Sequence, residues 1–219
     1  MNNASPRNQD RRSRPNYDRE SLLEIAVEVF NERGYDATGM EELARRLGLS
    51  KSSIYHHVSG KEELLDLAVT RALDALFSLI DEPNTAELRP TARLEHIVRR
   101  SVEVLAAELP YVTLLLRVHG NSATEQRILK RRREFDHRVA ELVELAAQEG
   151  GIRADIDPHL ASRLVFGTVN SLIEWYRPDG ELPVSVLADA LTIVVFGGLR
   201  SHGHLNPADT PPRTGRPRL

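Results

Sequence analysis

Between Thr38 and Lys61 the chain gathers side chains suited to gripping a polyanion. Thr38, Ser50, Ser52 and Ser53 offer hydroxyls, Lys51 and Lys61 ammonium groups, Tyr55 a phenol, and His56 and His57 imidazoles. Lysine pairs with phosphates or guanine acceptors, and serine hydrogen-bonds to phosphates and reads either base edge weakly. Plainer roles stand beside these: Thr38 and Ser50 could only cap helices, and Tyr55 could chiefly pack. Other constellations lead away from catalysis and metals. Asp155, Asp157 and His159 alternate as metal ligands could, yet Asp157 before Pro158 reads better as a helix N-cap followed by proline at the first helical position. His56 and His57, adjacent on a helix, point about 100° apart and cannot easily chelate one ion. No G-x-S-x-G, phosphate-loop or dinucleotide fingerprint occurs, so no catalytic residue, metal or cofactor is assigned.

The polar group needs elements to hold it, and the apolar spacing supplies them. Leu22, Ile25, Ala26, Val29 and Phe30 mark an amphipathic helix from about Asp18 to Arg33, stopped by Gly34. Thr38 with Glu41 three residues on has the capping-box pattern and opens a second helix that ends at Gly48. Ser50 caps a short third helix holding Ile54, Tyr55 and Val58, and Gly60 separates it from a fourth that runs from Lys61 to about Ile80. Counting Met40 as the first position, Ala44 falls fifth, where one helix passes close over the other. Gly48 falls ninth, where the turn calls for a positive backbone angle, and Ile54 fifteenth, where an apolar side chain packs the second helix back on the first. Residues 40–59 therefore form a helix-turn-helix, with Leu43, Leu47 and Leu49 completing its small core.

The stretch GYDATGMEELARRLGLSKSSIYHHVSGKEELL, within residues 18–65, resembles the DNA-binding head of the TetR family of one-component repressors. Gly34-Tyr35, Thr38, the turn Gly48-Leu49-Ser50-Lys51, Tyr55-His56-His57 and Lys61-Glu62 carry the resemblance. Two positions depart from it: Gly39 stands where a helix former is more usual, and Val58 where the family has phenylalanine. The resemblance implies a sequence-specific transcriptional regulator, most often a repressor, released from its operator by a small molecule. The short third helix would then lie in the major groove, with Lys51, Ser52 and Ser53 nearest the bases and His56 reaching bases or backbone. Thr38, Tyr55 and His57 are better placed for phosphates, and Lys61 adds a charge at a helix N-terminus.

Beyond Asp81–Pro90, which reads as a connector, apolar helical patterns recur at 91–108, 110–119, 122–149, 158–176 and 184–200, punctuated by Pro110, Gly120, Gly150-Gly151 and Arg177-Pro178-Asp179-Gly180. The expected fold is all-α with about nine helices. A helix-turn-helix head over 18–64 precedes a ligand-binding and dimerisation body over 65–202, between a disordered basic arm (1–17) and a disordered tail (203–219). Helices 158–176 and 184–200 carry apolar residues beyond what one core needs and can pair with their copies as a four-helix bundle, which matches how the family dimerises. A dimer favours a palindromic double-stranded DNA operator. Polar groups among apolar ones nominate Arg117, His119, Asn170, Glu174 and Trp175 for the effector pocket, each of which could equally be core or interface. The segment LIEWYRPDGEL resembles a branch that senses acyl-CoA thioesters. Lys130-Arg131-Arg132-Arg133 could meet the CoA phosphates, although a solvated helix face is the plainer reading.

Composition sets the outer bounds. A net charge of −3 argues weakly against nucleic acid, but Arg7, Arg11, Arg12, Arg14 and Arg19 crowd the N-terminal arm, opposed only by Asp10 and Asp18. The absence of cysteine removes disulfides and thiolate chemistry. No apolar run approaches the ~18 residues of a membrane span, and the N-terminus lacks the apolar stretch of a secretory signal, so the expected setting is the cytoplasm. Gly215-Arg216-Pro217-Arg218 resembles the core of an AT-hook, an arginine segment for a narrow minor groove, on only four residues.

Overall fold

Asp18 opens the first helix by accepting the Ser21 N–H at 2.9 Å, and α1 then covers Arg19–Arg33. The computed structural model describes residues 18–199. The expected arm, the tail and its Gly-Arg-Pro-Arg segment lie outside the described residues. After α1 come α2 (Met40–Leu47), α3 (Lys51–Tyr55), α4 (Lys61–Ile80), α5 (Pro90–Ala107), α6 (Leu109–Leu116), α7 (Ala123–Gln148), α8 (Pro158–Asn170), α9 (Leu172–Trp175) and α10 (Val184–Leu199). Among the described residues there is no strand, and the fold is all-α. The connector between α4 and α5 holds one 3-10 turn, Pro83–Thr85.

Two helix expectations are corrected. Thr38 and Glu41 do not form a capping box. The helix starts one residue later than that pattern requires, so Gly39 is the N-cap, without a side-chain cap, and the buried Thr38 hydroxyl donates to the Gly34 carbonyl at 2.8 Å. A capping box forms instead at Ser122 and Glu125, opening the 26-residue α7. The helix expected over 158–176 is broken at Ser171. There the Ser171 hydroxyl takes the Thr168 carbonyl at 2.7 Å, and the Glu174 N–H turns to the Ser171 carbonyl three residues back. Counting α8 and its single-turn continuation α9 together gives nine helices among the described residues. Asp157 caps α8 as its pairing with Pro158 suggested, accepting the Leu160 N–H at 3.0 Å.

The head, α1 to α3, has no separate core of its own. Apolar packing runs unbroken into the body through α4, which buries Leu64, Leu65, Ala68, Val69 and Ala72 toward α1 and α6, and Leu79 and Ile80 at its far end. In the body α5 lies centrally, against α4, α7, α8 and α10. Three edge-on aromatic rings tie α4 to α7 and α8: Phe77 meets Phe135 at 5.7 Å between centroids, and Phe135 meets Phe166 at 5.2 Å. α4 thus packs against α1 of the head and against α5, α6 and α7 of the body.

Candidate nucleic-acid interface and ligand pocket

The turn between α2 and α3 has the geometry its sequence demands. Gly48 sits in the left-handed region (φ 64°, ψ 26°), and the Leu49 N–H closes back on the Ala44 carbonyl at 3.0 Å. Ala44, Ile54 and Val58 are buried, with Ile54 fully enclosed. Valine at 58 therefore still fills the space beside α3. Ser50 caps α3, its hydroxyl accepting the Ser53 N–H at 3.1 Å and sharing a 2.8 Å hydrogen bond with the Ser53 hydroxyl. That spends much of the bonding capacity of both serines.

Lys51, Ser52, Tyr55, His56 and His57 are exposed. Tyr55 leaves 51% of its surface open, so packing is not its main role. His56 is the C-cap of α3 and His57 lies beyond it, so the two imidazoles belong to the turn rather than the helix. Two other expected contacts sit differently. Thr38 is buried and its hydroxyl is used internally, so its side chain is not on the surface. The Lys61 Nζ donates to the carbonyls of Tyr35 and Thr38, both at 3.1 Å, and lies 4.5 Å from the Tyr35 ring centroid. Its charge is thus held over the α1–α2 loop.

Sequence reasoning missed three groups around this head. Glu41 on α2 forms an ion pair with Lys51, which lowers the Glu41 pKa through the hydrogen bond and the charge. Glu63 accepts the Ser59 N–H at 2.6 Å and its hydroxyl at 2.8 Å, satisfying the entry to α4 where the Gly60 N-cap cannot. A serine four residues before a glutamate at a helix start was the available signal. Arg71 on α4 joins Glu20 of α1 to Glu108 and Tyr111 of the body, and only a lone arginine in an apolar run marked it.

The five residues nominated for one pocket fall in two places. Arg117 and His119 line a cleft of about 290 Å³ between the head and the body. Asn170 is half-buried at the end of α8, while Glu174 and Trp175 are exposed on α9, and none of the three reaches that cleft. The break at Ser171 sets Glu174 and Trp175 apart on a separate turn. The run Lys130–Arg133 is also partly committed. Arg131 pairs with Asp74 at 2.7 Å, and half-buried Arg132, whose pKa burial lowers, points to the Leu115 carbonyl. Lys130 is exposed, as is Arg133.

Apolar side chains stay open on both α8 and α10. On α8 Leu160 is exposed and Leu164 is 60% exposed, and on α10 Val186 is exposed with Ile193 at 71% and Val194 at 72%, although α10 buries Leu187, Leu191 and Phe196. A helix apolar on both faces is built to be covered twice. No helix among the described residues is long and apolar enough to cross a membrane.

Known proteins share this arrangement. Residues 22–68 match the bacterial regulatory proteins of the tetR family, and residues 87–199 match a tetracyclin repressor-like C-terminal domain. The HTH-type transcriptional repressor KstR2 of Rhodococcus jostii (strain RHA1) is 31% identical over 84% of this chain and 91% of its own. A crystal structure of a TetR transcriptional regulator family member from Streptomyces coelicolor A3 superposes with a TM-score of 0.79 at 57% identity, covering 86% of this chain and 94% of that one. The structure of AibR in complex with isovaleryl coenzyme A and operator DNA is 26% identical with a TM-score of 0.68, over 81% of this chain and 97% of the other. With its helix-turn-helix geometry and matches across head and body alike, this chain belongs to the tetR family of bacterial regulatory proteins.

Proposed function

We propose that the chain is a homodimeric repressor that holds a palindromic operator and is released by an acyl-CoA thioester. The observation that carries this reading is the solvent-facing set Lys51, Ser52, Tyr55, His56 and His57 around α3, presented by a buried Ala44–Gly48–Ile54 framework. Inserted in a major groove, Lys51 and Ser52 at the start of α3 meet base edges, while Tyr55 and His57 meet the flanking backbone. Ser50 and Ser53 act mainly in holding α3. Thr38 and Lys61 act from behind, fixing the loop that carries α2, and the α4 N-terminus still presents backbone N–H groups to a phosphate.

A single head reads too few bases for tight binding, so the open apolar face of α8 and α10 pairs with its copy and sets two heads on one duplex. The CoA thioester is favoured by likeness to AibR, whose structure holds isovaleryl coenzyme A and operator DNA, and to KstR2, a named repressor. Lys130 and Arg133 are the open cations of the basic run that CoA phosphates could meet. The protein acts on DNA in the cytoplasm. A gel shift on the DNA upstream of its own gene, repeated with a panel of CoA thioesters, tests both halves. A retarded band that a thioester abolishes is expected. No retardation sinks the DNA role, and a band indifferent to every thioester sinks the effector.

A further inference from the structure

The helical head has, by formal charge, the wrong sign for a polyanion. Residues 18–61 carry six basic side chains, Arg19, Arg33, Arg45, Arg46, Lys51 and Lys61, against eight carboxylates. Two of those carboxylates, Glu41 and Glu42, lie on α2, and Glu41 pairs with Lys51 itself. A duplex carries one negative charge per ~1.7 Å of its axis, so binding it needs positive charge from elsewhere in the chain.

The 17 residues ahead of Asp18 supply it: Arg7, Arg11, Arg12 and Arg14 stand against the single acid Asp10. With them, residues 1–61 carry ten basic side chains and nine acidic ones, and the balance turns positive. Between Ser5 and Asn16 the only apolar side chains are two prolines, so this stretch has little to bury against a core. Its cations are all arginine, and the first lysine of the chain is Lys51. A guanidinium sheds water more readily than an ammonium, and a narrow A·T minor groove attracts it.

The fold sets where this stretch begins. Asp18 caps α1, and Arg19 beside it pairs with one oxygen of Glu63. The other Glu63 oxygen accepts the N–H and the hydroxyl of Ser59, two residues past His57. The chain therefore enters α1 beside the turn from α3 to α4, the edge that also carries His57 and the α4 N-terminus. Arg14 and Arg11 precede Asp18 by four and seven residues, an extended reach of about 14 to 25 Å. That covers the step from the major groove to the neighbouring minor groove, which is about 6 Å wide.

Resting on the operator-binding role proposed above, we propose that the segment before Asp18 lies in the minor groove beside the half-site read by α3, its arginines inserted where A·T pairs narrow that groove. A second copy does the same at the other half-site.

The probe is the DNA upstream of the protein's own gene, titrated with the full-length chain at several salt concentrations and followed by fluorescence anisotropy. Two variants are compared with the parent: Arg7→Gln, Arg11→Gln, Arg12→Gln and Arg14→Gln combined, and the same four positions changed to lysine. Both leave the helical residues untouched, and melting curves matching the parent check this. The glutamine variant is expected to bind about tenfold or more weaker, with a slope of log affinity against log salt shallower by about 2 or more. It is also expected to lose hydroxyl-radical protection in the minor groove beside each half-site. Exchanging the protected A·T pairs for G·C should weaken the parent by about fivefold or more. The lysine variant should keep the salt slope and respond less to that exchange. An unchanged slope and footprint in the glutamine variant overturns the contact. Protection over G·C pairs, or equal sensitivity of parent and lysine variant to the exchange, overturns the minor-groove placement. A parent that fails to bind this DNA removes the operator role and this contact with it, whereas a parent matched by its glutamine variant removes the contact alone.

Discussion

Arg71 forks onto Glu108: its Nε donates to one carboxyl oxygen at 2.7 Å and its Nη2 to the other at 3.2 Å. The same guanidinium lies 4.2 Å from the Tyr111 ring centroid and pairs with Glu20, so one side chain on α4 clasps α1 and the start of α6. Arg71→Met keeps much of the length and none of the donors. It is expected to cost about 1–2 kcal/mol, discounted for the partial exposure of the pair. Arg71→Lys should recover little, because an ammonium cannot fork. Urea denaturation reads both variants, and an unchanged midpoint in Arg71→Met would contradict the clasp.

Gly48 and Gly39 bracket α2 and should respond oppositely to substitution. Gly48 has φ 64° with open space around a would-be Cβ, so Gly48→Ala meets only the backbone penalty, about 1–2 kcal/mol. Gly39 is extended (φ −104°) and caps α2 without a side chain. Gly39→Ser supplies the missing acceptor and should gain a few tenths of a kcal/mol. Thermal melts of the two variants decide it, and two changes of the same sign would defeat the account.

Lys51 must leave Glu41 to reach DNA. Lys51→Ala is expected to weaken operator binding by about 1–3 kcal/mol, while Glu41→Gln frees the lysine and strengthens binding. Fluorescence anisotropy with a labelled operator at fixed salt measures both. Full affinity in Lys51→Ala would remove this residue from the interface.

The open face of α8 and α10 makes a prediction about assembly. Leu164→Glu with Ile193→Lys places charges on the surface proposed to pair with its copy, and native mass spectrometry should find the monomer. Operator affinity should then fall by a factor on the order of a hundred or more, since two linked heads gain that much from avidity. A dimer that survives both changes would place its interface elsewhere.

Glu63 links the head to pH. Its pKa is lowered chiefly by the Ser59 backbone N–H, then by the Ser59 hydroxyl and Arg19. A carboxylate with a depressed folded pKa stabilises above its ordinary pKa, and the contribution disappears as pH falls through the lowered value. The stability gap between the parent and Glu63→Gln should thus be full at neutral pH and close below the ordinary 4.5. Melting temperatures across that range check the sign, and a gap that widens in acid would reverse it.

The helices and the helix-turn-helix were legible because they rest on local rules. The placement of apolar side chains every three or four residues, Gly48 in its turn and Ser50 at its cap are decided within a few neighbours. The set proposed for the DNA interface was legible only in part. Lys51, Ser52, Tyr55, His56 and His57 face outward as their positions suggested. Thr38 and Lys61 turned inward, because the loop carbonyls at 34–38 needed donors that no local pattern reveals. The pocket was least legible. Arg117 and His119 meet one cleft, while Asn170, Glu174 and Trp175 lie elsewhere, beside the break at Ser171.

By itself the sequence determined that the chain is helical and where its DNA-reading motif lies, because helix periodicity, caps and turns are short-range. Only the tertiary structure decided which charges are free and which are spent, and that Glu125 and Tyr35, 90 positions apart, face one cleft. Those outcomes depend on which helices pack side by side, and that is set by the shared core running along α4 rather than by any one segment.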